Sequence, residues 1–168
     1  MSVVRSMLGD VDRRRGNLGV RVAAKDVENC LEDTVSIFEA VLRVLVKRHK
    51  RKEGMAEDDI ERLFKKIGNA FQNVHRAEDI FSKKVGLPLF DGCSIEEVDE
   101  LARTFEKRHP ITHNLGVVDK HYIEKARSAE EEGKEVLVSI REIQKAIETS
   151  TKTFASLHNR MFSGTNTQ

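Results

Sequence analysis

Three of the six histidines, one of the two prolines and the single tyrosine lie between Arg108 and Tyr122, in a stretch that opens Arg108-His109-Pro110-Ile111-Thr112-His113. An imidazole with an ordinary pKa of about 6.5 gives or takes a proton near neutral pH, and a guanidinium stays charged while bonding two phosphate oxygens. These groups suffice for RNA cleavage, because RNA carries its own nucleophile. A base removes the 2′-OH proton, an acid protonates the departing 5′ oxygen, and a cation holds the phosphate. A 2′,3′-cyclic phosphate and a 5′-OH would result, and DNA, lacking the 2′-OH, would be spared.

Geometry constrains this chemistry. At about 100° per residue, five steps set Arg108 and His113 about 140° apart on a straight helix. Pro110 lacks an N–H, clashes with the carbonyl of Glu106 and disfavours helix at His109, so the helix is expected to kink or restart here. A competing reading makes Arg108 a helix-end ion-pair partner and His113 a capping histidine. His109 and His113 also have the i,i+4 spacing of a shared metal pair, but Pro110 sits between them and no third ligand is apparent in sequence, so neither metal nor cofactor is expected.

Arg108, four intervening residues and His113 match the Arg-x(4–6)-His signature of the HEPN superfamily, and Asn114, Gly116, Asp119 and Tyr122 resemble its usual continuation. The resemblance covers residues 103–123 in motif and 24–162 in architecture. It implies a helical bundle that dimerises with two motifs face to face, and a metal-independent endoribonuclease of toxin, phage-defence or stress systems. Arg108 would then hold the scissile phosphate and His113 would be the general acid or base, with His109 and Asn114 assisting, in a composite site between two protomers. Other members of the superfamily bind RNA or nucleotides without cleaving, so a non-catalytic binding and dimerisation module is the alternative; a pure interaction scaffold is the third. Expected partners are RNA, a second copy of the chain, and an antitoxin or larger multidomain protein.

The elements that must carry this segment read as helices. Two prolines, no Trp and 34% charged residues favour helix over sheet. An apolar stripe through Val27, Leu31, Phe38 and Leu45 predicts a first long helix from about Ala24 to Lys52, ending in cations and Gly54. A second stripe, Ile60 to Phe81, predicts another, closed by Gly86 and Pro88. Ser94 and Glu97 form a capping box that opens the third. Asp119 is the expected N-cap of a short helix containing Tyr122, and a final long helix is placed after Gly133, with Val136 to Met161 on its buried face and Ser150 its one polar lapse. The fold class is therefore all-α, an up-and-down bundle of four long helices plus a short helix after the motif. Residues 1–23 read as a mobile arm or short helix, 24–162 as the bundle and 163–168 as a disordered tail.

A net charge of +1 supplies no global attraction for nucleic acid, so RNA contacts must be local. Lys47, Arg48, Lys50 and Arg51 are candidates, beside a solvated helix end as the plainer reading, as are the arginines 13–15. Asn73 and Tyr122 are further candidates, Tyr122 against a competing role in packing. Two cysteines without paired spacing, no secretory leader and no uninterrupted apolar run of about 18 residues suggest a cytoplasmic protein without a membrane span.

Overall fold

The computed structural model describes the chain except Gly19, 114–115, 127–129 and 163–168; at 12–18, 20–23 and 125–126 it describes backbone only. The expectations placed on Asn114 and on the tail lie outside the described residues, as do the side chains of arginines 13–15.

The fold is all-helical. Helices α1 (Ser2–Leu18), α2 (Val20–Lys52), α3 (Glu57–Ile67), α4 (Val74–Ile80), α5 (Ile95–Glu106), α6 (Arg108–His113), α7 (Lys120–Ala126) and α8 (Ile140–Phe162) follow one another in the chain. The central helix is α2, 33 residues long, with α1 and α8 packed along it and α5 against α8. Phe38 of α2 ties the layers together. Its ring meets Phe105 of α5 edge-on at 5.2 Å, Phe154 of α8 at 5.5 Å and Phe90 in the connection before α5 at 6.5 Å. No helix among the described residues is long and apolar enough to cross a membrane.

Several local expectations change. The N-terminal segment, expected as a mobile arm or short helix, is the 17-residue helix α1: Val4, Leu8 and Val11 are buried in the main core, and their i, i+4, i+7 spacing makes one apolar face. The second stripe is not one helix. It stops at Ile67, where Gly68 takes φ 55°, passes a 3-10 turn at Ala70–Gln72, restarts as α4 and closes in a π turn over Phe81–Val85. The Asn73 side chain starts α4 by accepting from the Arg76 N–H at 2.9 Å. The last helix begins at Ile140 rather than after Gly133, because Ser139 and Glu142 form a reciprocal cap there. Val136 instead packs with Val118 and Tyr122 in a small second core, pinned by an isolated antiparallel bridge between Val117 and Glu135.

The capping box that opens α5 is present, with the Ser94 N–H donating to Glu97 at 2.7 Å and the Glu97 N–H to the Ser94 hydroxyl at 3.2 Å. Asp119 caps α7 by accepting from the Tyr122 N–H at 2.7 Å.

Candidate functional site

The motif occupies its own short helix. Helix α5 ends at Glu106 and α6 starts at Arg108, which puts Pro110 in the first turn of α6. A proline there sacrifices no helical hydrogen bond, and the break one residue past Glu106 relieves the clash its ring would make with that carbonyl. The interruption thus precedes Pro110 instead of falling on it, and His109 is helical. At the far end, the Gly116 N–H donates to the Pro110 carbonyl at 2.9 Å.

A cavity of about 290 Å³ opens where α6 faces the start of α4, lined by Asn69, Gln72, Asn73, Arg76, Phe105, Glu106, Arg108, His109, Thr112 and His113. Arg108 and His113 therefore share one cleft despite their angular separation, with His109 and Asn73 beside them. Phe105 supplies the apolar contact to the core beneath.

Arg108 is held from two directions. Its Nε donates to Glu32 Oε2 of α2 at 2.6 Å and its Nη1 to Gln72 Oε1 at 2.8 Å. The Thr112 hydroxyl lies within hydrogen-bond distance of Glu32 Oε1 and, at 2.9 Å, of the Arg108 carbonyl; its single proton serves one of them at a time. Burial pushes the Glu32 carboxyl up, but the hydrogen bonds from Thr112 and Arg108 and the Arg108 charge outweigh it, leaving this group below its ordinary value. Gln72 extends the network by donating to Glu39 at 2.7 Å, and Glu39 also accepts from Arg43 at 2.8 Å. Across the cleft, Asn73 Nδ2 donates to Glu106 at 2.5 Å. Asn73 thus has both amide ends in use, one on the α4 cap and one on Glu106.

The histidines form a row. The His109 ring lies 5.1 Å from His113 and 5.4 Å from His121 of α7, centroid to centroid. His113 and His121 are exposed and His109 is half-buried. Among the described residues no group of three or more His, Cys, Asp and Glu is arranged to hold a metal ion.

Other expected RNA contacts are placed elsewhere. Lys47, Arg48, Lys50 and Arg51 sit in the C-terminal turns of α2, about 22–28 Å along the helix from Glu32 at 1.5 Å per residue. They are largely engaged there: Lys47 and Arg51 pair with Glu57, Lys50 with Glu53 at 2.6 Å, and Arg48 lies over the Phe162 ring at 4.7 Å. Two cations on Glu57 lower its carboxyl to about 2, the hydrogen bond from Arg51 being the main cause. Tyr122 is 2% exposed, so its ring packs in the second core and presents no face to a base.

Glu32, Gln72, Thr112, Arg76 and His121 were not singled out by sequence reasoning. His121 lies within the unusual stretch, and its spacing from His109 was the available clue. Glu32 carries no such signal, since an acid on the polar face of a long helix is ordinary until the motif packs against it. No protein-family model, curated protein or solved structure matches the chain, so the likeness to HEPN domains rests on the motif residues and the helical architecture.

Proposed function

We propose that the protein is a metal-independent endoribonuclease of the HEPN type, acting on RNA in the cytoplasm as part of a defence, toxin or stress system. The observation that carries this reading is the sharing of one polar cleft by Arg108, His109 and His113. In this reading His113, the exposed imidazole, exchanges the proton of the 2′-OH or of the departing 5′ oxygen, and His109 beside it assists. Arg108 faces the scissile phosphate with the part of its guanidinium that Glu32 and Gln72 leave open. A homodimer with two such clefts face to face would supply a second proton-transfer group, and an antitoxin or larger multidomain partner fits a toxin role.

A second reading, a non-catalytic RNA- or nucleotide-binding and dimerisation module, is favoured by one observation. Glu32 and Gln72 already occupy Arg108 Nε and Nη1, so an incoming phosphate meets a partly neutralised cation. Incubation of single-stranded RNA in EDTA with wild type and His113→Ala separates the two. The nuclease reading expects cleavage that falls by about a hundredfold or more in the variant. Equal cleavage by both proteins refutes the assignment of His113, and salt-dependent retention of uncut RNA across a pH series selects the second reading.

A further inference from the structure

A groove of about 620 Å³ runs between α3 and α4 on the other side of Arg76, larger than the motif cleft. Its floor includes Leu63, Ile67 and Ile80, and its walls carry an excess of positive charge. Both of its carboxylates are paired within the groove, Asp59 with Arg62 and Asp79 with Lys83, each at 3.1 Å. That leaves Lys66, Lys84 and Arg76, all exposed, with no ion pair among the described residues. Arg76 lines this groove and the motif cleft alike. It is also held in place at the backbone, where its N–H donates to the Asn73 side chain that borders the cleft.

We infer that cleft and groove form one continuous track for single-stranded RNA, with Arg76 gripping the backbone where the strand passes from the motif into the α3–α4 groove. The inference rests on the reading of the motif cleft as an RNA site and extends it to the flanking nucleotides. A single strand needs phosphate-binding cations along its path and apolar surface for its unstacked bases, which have low-polarity faces. The groove offers both: three cations without carboxylates to answer them, above an aliphatic floor. The same unanswered charge makes binding depend on salt, because each neutralised phosphate of a single strand releases counterions and steepens the log–log slope by about 0.7. Arg108, clamped by Glu32 and Gln72, is the less available cation at the cleft, which makes Arg76 the stronger electrostatic anchor.

The test is fluorescence anisotropy with a labelled single strand of about ten nucleotides, 2′-O-methylated so that no 2′-OH attack can cut it. Wild type is compared with Arg76→Glu, with Lys66→Glu/Lys84→Glu, and with Lys47→Glu/Arg51→Glu as a control of equal charge change to the second. Circular dichroism melts verify that each variant is folded. The track predicts that both groove variants weaken binding by about tenfold or more and flatten the salt slope, while the control stays near wild type. Affinity unmoved by the groove reversals, including the case in which the groove instead takes an acidic peptide, overturns the inference. So does an equal loss in the control, which would mark binding as a response to net charge alone. Cleavage assayed separately keeps the two claims apart: intact RNA with this binding pattern sinks the nuclease but leaves the track, and cleavage with unaffected binding does the reverse.

Discussion

Glu32 decides what the motif arginine can do. Its carboxylate orients Arg108, accepts from Thr112 and competes with any phosphate for the same guanidinium. Because its folded-state pKa is lowered from 4.5, ionised Glu32 stabilises the fold above that value, and the contribution disappears as pH falls through the lowered one. Glu32→Gln should therefore destabilise the protein at pH 7 by about 1–3 kcal/mol, nearer the lower figure because the pair is partly exposed. Urea melts from pH 7 into acid should show the gap between wild type and variant closing; a gap constant with pH contradicts the ionised clamp. Arg108, His109 and His113 were legible from residue type and spacing, since a rare collection around one proline is a local property; Asn73, 37 positions away, carried no such local signal. Glu32 and Gln72 were not legible, because their roles exist only once α2 and the turn before α4 reach the motif.

At the scale of elements, two short breaks place the cleft. The break ahead of Pro110 separates α6 from α5, while Gly68 ends α3 and lets the chain return as α4 with Gln72 and Asn73 lining the motif cleft. A Cβ at Gly68 would meet no atom within 4 Å, so the cost of Gly68→Ala is that of placing a side-chain residue at φ 55°, ψ −128°, and not of a clash. We expect a loss of about 1–3 kcal/mol, read as a lowered urea midpoint with unchanged slope. A neutral substitution would show that the turn relaxes elsewhere. The apolar stripe from Ile60 to Phe81 concealed this break because its residues stay buried on both sides of it; period alone does not report where backbone hydrogen bonds stop. Caps were better guides: Ser94 with Glu97 marked the start of α5, and Ser139 with Glu142 marks α8 in the same way.

The molecule as a whole is organised on α2, whose inner face meets α1, α8 and, through Phe38, α5. Of the arm and the short helix that residues 1–23 allowed, the helix is what packs, with Leu8 4% exposed in the main core. Leu8→Ala should cost about 2–5 kcal/mol and lower the single cooperative transition of the whole chain, whereas a loose arm would tolerate it within about 0.5 kcal/mol. Differential scanning calorimetry makes that comparison. Helical class and the α5 and α7 caps were determined by the sequence itself, because each depends on residues within a turn or two of one another. Tertiary structure alone decided that Arg108 is clamped by a carboxylate 76 positions away, that the basic end of α2 lies far from the motif, and that Tyr122 is sealed in a second core. The physical reason is that these outcomes come from the packing of distant segments, and the spacing within any one helix carries no record of which neighbour will cover it.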